Sequence, residues 1–147
     1  MTPAPAAELV VRRVIGAPRE RVFAAWLDPV SLARWMCPGP VTSVDVALDP
    51  RVGGRFRIVM HKPDGAVEHT GEYLAIEPPA RLRFTWISVN TDGRPSEVAI
   101  EFLDRGAATE LVLTHRGLPQ RQVEGHRQGW TDIVRKLEET LTGGPHG

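Results

Sequence analysis

The chain has one cysteine, Cys37, in 147 residues, which excludes an intrachain disulfide and fits a reducing cytoplasm. No CxxC, HExxH or other paired Cys/His spacing occurs, so no metal site is indicated. Glycine-rich phosphate or dinucleotide loops of the GxGxxG or Walker type are also missing, and with them any sign of a cofactor. No apolar run approaches the ~20 residues of a membrane span. Neither sign of charge dominates: 18 basic and 18 acidic residues cancel to zero. Nucleic-acid binders carry a basic stripe, so this balance argues against that class. The opening MTPAPAAE lacks a positive n-region and a long apolar h-region, so a secretory signal is not expected there. Residues 1–8 read instead as a disordered lead rich in Pro and Ala, and residues 143–147 as a flexible tail.

What is present suits one domain over residues 9–142. The hydrophobic fraction, 41%, is enough for a core, and no linker or internal repeat divides the chain. Leu9 to Ile15 is apolar and β-branched apart from Arg12 and Arg13, and reads as a strand. Pro18 stands where a helix would begin, with Glu20 in its first turn and Val22, Phe23, Trp26 and Leu27 on its apolar side. Asp28 and Pro29 start a second short helix as N-cap and first helical residue, with Leu32 and Trp35 as buried candidates. Pro38 and Pro40 end it.

From Thr42 the period changes to two. Val44, Val46 and Leu48 alternate with polar or small residues, and so do Phe56, Ile58 and Met60 after Gly53-Gly54. Pro63-Asp64-Gly65 marks a hairpin. Val67 to Glu77 is the next strand; Leu74 and Ile76 compete with Tyr73 for its inner side, which calls for a bulge. Leu82, Phe84 and Trp86 share a face, then Val98, Ile100 and Phe102, then Leu111, Leu113 and His115. Arg57, Arg81, Arg83, Glu97, Glu101 and Glu110 fall on the other side, a solvated face with weak cross-strand pairs. Hairpin-length loops make the six strands an antiparallel meander with one buried face.

Val123 to Leu141 closes the pattern with one amphipathic helix. Val123, His126, Trp130, Ile133, Val134, Leu137 and Leu141 lie within roughly one 100° sector, opposite Arg127, Asp132, Arg135, Lys136 and Glu139. Such a stripe must lie on a sheet. Gly125 and Gly129, one turn apart beside it, read as close helix-on-sheet packing in preference to Gly129 opening space for a ligand. Cys37 has no neighbouring base in sequence and reads as inert.

This order and its motifs resemble the family of the activator of heat-shock protein 90 ATPase, C-terminal-domain type, in the START-like (SRPBCC) superfamily. The resemblance rests on Ala17-Pro18 with Val22 and Trp26, Asp28-Pro29 to Trp35, DPRVGGRF at Asp49 to Phe56, and Asp64-Gly65. It continues through Gly71-Glu72-Tyr73, Glu77-Pro78-Pro79 with Leu82, Thr109-Glu110-Leu111, Thr114-His115 and His126-xx-Gly129-Trp130. It implies the α+β helix-grip fold: a curved antiparallel sheet of about seven strands, two short helices after the first strand, and a long C-terminal helix in the sheet's grip. Superfamily members include lipid carriers, ligand receptors and aromatase/cyclases, so the resemblance implies a small hydrophobic ligand in an internal cavity. It also allows a homodimer. A chain of 147 residues has no room for the separate N-terminal domain with which the eukaryotic activators engage the chaperone, so co-chaperone activity is not expected to carry over.

In such a fold the strand faces and the helix stripe line a cavity, commonly of roughly 300–1,000 Å³. The expected lining is Phe56, Ile58, Met60, Tyr73, Trp86, Phe102, Leu113, His115, His126 and Trp130, which selects a hydrophobic or aromatic ligand. His115 and His126 could face each other from opposite walls, and with Tyr73 they are the candidates for proton transfer. No partner carboxylate is visible for either histidine, and two histidines fall short of a zinc site. The residues therefore favour binding over catalysis. An enzyme of the polyketide cyclase/aromatase type and a protein-binding module are the alternatives.

Overall fold

The computed structural model describes residues 7–143. The terminal residues 1–6, most of the expected lead, and 144–147, most of the expected tail, lie outside the described residues. Strand β1 (Ala7–Ile15) is followed by α1 (Arg19–Ala25) and α2 (Pro29–Trp35). Then come β2 (Ser43–Leu48), β3 (Arg55–Lys62), β4 (Gly65–Glu77), β5 (Arg81–Trp86), β6 (Ser96–Arg105) and β7 (Ala108–Leu118), and finally α3 (Val123–Thr142). The seven strands form one antiparallel sheet in the order β1-β7-β6-β5-β4-β3-β2. It is open, with β1 and β2 at its edges. Strand β1 starts at Ala7, ahead of Leu9, because Ala7 and Glu8 pair with Leu118 and Arg116 of β7.

Local chemistry accounts for the helix starts. The Asp28 carboxylate accepts from the Val30 N–H at 3.0 Å, and Pro29 occupies the first turn of α2. In β4 the register slips between Tyr73 and Ala75. That bulge keeps Tyr73 inside, 3% exposed, and still turns Ile76 toward the core. Gly71 lies on the same inner face. A Cβ there would stand 2.0 Å from the Thr85 carbonyl oxygen and 2.4 Å from the Phe56 ring, so only glycine fits.

The sheet's inner face carries Leu82, Phe84, Trp86, Val98, Ile100, Phe102, Leu111 and Leu113, all buried. Trp130, Ile133, Val134 and Leu137 of α3 are buried against the same core. Under α1, Phe23 meets Phe102 edge-on at 5.2 Å. The outer face is held by ion pairs between strands: Arg57 with Glu68, Arg83 with Glu97, and Arg116 with Glu8. Exposed pairs of this kind contribute about 0–1 kcal/mol each.

Candidate functional site

The first half of α3 stands over the turn end of the β3–β4 hairpin and leaves a hollow of about 840 Å³. Met60 and Lys62 of β3, Val67 and His69 of β4, and Trp86 of β5 form its floor. Its roof is α3 from Gly125 to Ile133, and its side is the loop Pro38–Val41. Gln122 and Asn90 also border it. The walls are mostly apolar, with Trp86 and Trp130 in contact at 5.0 Å between rings.

The side loop is held by groups that the sequence places on the solvated face of α3. The Gly39 N–H donates to an Asp132 carboxylate oxygen at 2.6 Å, and the Lys136 ammonium donates to the Cys37 carbonyl. Burial pushes the Asp132 carboxyl up, but the Gly39 N–H, Arg135 and Lys136 outweigh it and hold it below the usual range. The loop is thereby tied to the helix and shapes the mouth of the hollow.

The ten expected lining residues separate into three groups. Met60, Trp86, His126 and Trp130 border the large hollow. Phe56, Ile58 and Tyr73 border a separate small hollow of about 20 Å³ beneath Trp26, Leu32 and Met36, which Trp86 also touches. Phe102, Leu113 and His115 border neither and sit wholly buried in the core. Burial pushes the Tyr73 phenol well above its ordinary pKa.

His115 and His126 do meet, with rings edge-to-face at 5.1 Å, but their surroundings differ. The Trp130 indole N–H donates to His115 Nδ1 at 2.9 Å. Indole has no acceptor, so Nδ1 carries the lone pair and the proton sits on Nε2. His115 Nε2–H then donates to the Ser96 hydroxyl at 2.7 Å, and Ser96 donates to the Trp86 carbonyl at 2.6 Å. The relay from α3 through β7 and β6 to β5 satisfies every polar atom in it. Burial, aided by nearby His126, lowers the His115 pKa to about 3. His115 is thus a neutral structural link with both nitrogens engaged.

His126 is only half-buried. Its Nδ1 lies 2.9 Å from the Gln122 carbonyl oxygen one turn back. A carbonyl only accepts, so Nδ1 bears the proton and Nε2 is a bare acceptor. Nε2 makes no hydrogen bond among the described residues and is not sealed from solvent, and the residue borders the hollow. Burial lowers its pKa against the pull of the Gln122 carbonyl.

His69 was not among the expected residues. It is 6% exposed, packs on Trp86 with ring centroids 4.7 Å apart, and borders the hollow. The backbone of Ile58 and Val67 approaches the ring, yet Nδ1 is buried with no hydrogen-bonding partner. Burial lowers its pKa to about 4. One signal was legible: His69 alternates with Val67, Gly71 and Tyr73 on a single strand face.

Gly125 and Gly129 correct a sequence expectation. They are not points of close packing: a Cβ on Gly125 would meet nothing within 4 Å, and one on Gly129 only Pro38 at 3.9 Å. Both glycines border the hollow and widen it.

An open antiparallel sheet that grips one long helix around an apolar hollow defines the helix-grip class of cavity-bearing domains. The chain belongs to the family described as Activator of Hsp90 ATPase homolog 1-like protein, whose model matches residues 16–142. It is 32% identical over 90 residues to the Activator of 90 kDa heat shock protein ATPase homolog 1 of Mus musculus, a match covering 60% of this chain and 25% of that protein. The chain thus spans about a quarter of that relative's length. Among solved structures, protein CV1439 from Chromobacterium violaceum is similar at a TM-score of 0.79 and 25% identity, over 89% of this chain and 94% of that one. Protein NE0264 from Nitrosomonas europaea is similar at 0.78 and 26%, over 92% and 94%. No helix among the described residues is long and apolar enough to cross a membrane.

Proposed function

We propose that the protein binds a small hydrophobic or aromatic molecule in the hollow between the β3–β4 hairpin and the first half of α3. The observation that carries this reading is the pairing of an 840 Å³ space with a wall of Met60, Val67, Trp86, Trp130 and Ile133. That volume lies within the range of small-molecule sites. An aromatic body burying roughly 200 Å² would gain about 5 kcal/mol at ~25 cal/mol per Å², before association costs. The walls alone therefore give weak binding, and the few polar groups decide its strength.

Binding is favoured over catalysis because two of the candidate proton-transfer groups are withdrawn from the hollow. His115 spends both nitrogens on Trp130 and Ser96, and Tyr73 borders the separate small hollow. A cytoplasmic setting is part of the same reading and rests on the lone Cys37. Native mass spectrometry of freshly purified protein, followed by a denaturing run, tests it. A mass above that of the chain, released on denaturation and absent from Trp86→Ala, is the expected result. A bare mass, together with no shift in melting temperature across a panel of hydrophobic compounds, would overturn it.

A further inference from the structure

The polar groups of the hollow narrow the ligand class, on the reading that the hollow is a binding site. Its basic side chains each stand beside a carboxylate. Lys62 lies 3.8 Å from Asp64, and Arg127 donates to Glu124 and to the Val10 carbonyl. Gln122 supplies the carbonyl that takes the His126 Nδ1–H. Beside the amides of Asn90, Gln122 and Gln128, the space is bordered by a residue with a bare acceptor, His126 Nε2, one helical turn from Trp130 of the Trp86–Trp130 wall. On the floor, His69 is more than nine-tenths buried, lies against Trp86 and leaves Nδ1 without a partner. That nitrogen is sealed from the space as well as unpaired, which leaves His126 Nε2 as the imidazole acceptor a ligand can reach.

We propose that the hollow selects an aromatic molecule bearing a neutral proton donor, a phenol-type hydroxyl, which donates to His126 Nε2 while its ring lies against Trp86 and Trp130. The direction of that hydrogen bond follows from the Gln122 carbonyl. Because Nδ1 must donate to it, Nε2 can only accept, and a ligand with no donor leaves it unpaired. A site built to hydrogen-bond a hydroxyl discriminates against the analogue lacking it, because the site's own polar atom then loses its partner.

The test compares 2-naphthol, 2-methoxynaphthalene and naphthalene by tryptophan fluorescence titration at pH 7.5. The three share one ring system, and only the first can donate. The expected result is 2-naphthol binding roughly three- to tenfold tighter than the other two, the range of one neutral hydrogen bond. In His126→Phe that advantage should vanish while naphthalene still binds. Equal affinities for all three on the unmodified protein would overturn the donor assignment and leave the binding site standing. Failure of all three to bind would overturn both. A naphthol preference that survives in His126→Phe would overturn the role of His126. If that variant does not fold, the series on the unmodified protein still decides whether a donor is selected.

Discussion

Lowering the pH from 7 to 5 should weaken this fold by about 4 kcal/mol, through histidines rather than carboxylates. His115 and His69 are held neutral by burial, with pKa values lowered from 6.5 to about 3 and about 4. In the unfolded chain both titrate near ~6.5. Above that pH neither state carries the protons, and the two residues contribute no pH dependence. Below it the unfolded chain takes up protons that the folded protein refuses, so stability falls as pH falls. Each residue then costs about 1.4 kcal/mol per pH unit until its folded pKa is reached. From 6.5 to 5 that is about 2 kcal/mol each, or about 4 kcal/mol together, against a typical domain stability of roughly 5–15 kcal/mol. His126 shifts in the same direction and adds to the loss. Glu97 and Asp132, whose pKa values lie below the ordinary carboxylate range, lose their stabilisation only at lower pH and leave this window clear. Urea unfolding at half-unit steps from pH 7.5 to 5 measures the slope. Two-dimensional NMR of the imidazole rings assigns it to residues and reads the Nε2–H tautomer of His115 directly. A loss below about 1 kcal/mol, or a His115 ring that titrates in the folded protein near ~6.5, would refute the buried relay.

Three further outcomes follow from the packing. Trp130→Phe keeps an aromatic ring, smaller than the indole, and removes the donor to His115 Nδ1; it should cost roughly 1–3 kcal/mol in urea unfolding. Gly71→Ala forces a methyl group against the Thr85 carbonyl and the Phe56 ring, and should lower stability by roughly 1–3 kcal/mol or more, read as a drop in Tm. Gly129→Ala should do the reverse, raising stability by up to ~1 kcal/mol as helix propensity improves without a clash, while the added methyl narrows the hollow and weakens binding of the naphthalene series.

The site was only partly legible in the chain. Period-two alternation put Trp86 and Met60 on inner strand faces, and the helical stripe put His126 and Trp130 on the inner side of α3; Tyr73 was left in competition with Leu74 and Ile76 until the bulge in β4 decided it. Alternation reports which way a side chain points, however, and not how far the opposite layer stands from it. Phe102 and Leu113 point inward like Met60, yet lie where the layers close, whereas Met60 lies where they part. Ser96 shows why long-range partners resist such reading: a small polar residue after a turn carries no local sign that it will bridge His115 and Trp86. Asp132 and Lys136 mislead in the opposite way. Their charge marks a wet face, but the loop from Cys37 to Gly39 folds back onto that face and takes their hydrogen bonds.

The sequence by itself determined the elements and their order: hairpin turns, the capped start of α2, the bulge in β4, and a stripe on α3 that had to be buried. These follow from φ/ψ preferences and hydrophobic periodicity, which act over a few residues. Only the tertiary structure decided which histidine became a structural link and which kept a bare nitrogen on the hollow. That choice depends on the meeting of Trp130 with His115 across two layers, and of His126 with a carbonyl of its own helix. A tautomer is set by the groups that reach each nitrogen in space.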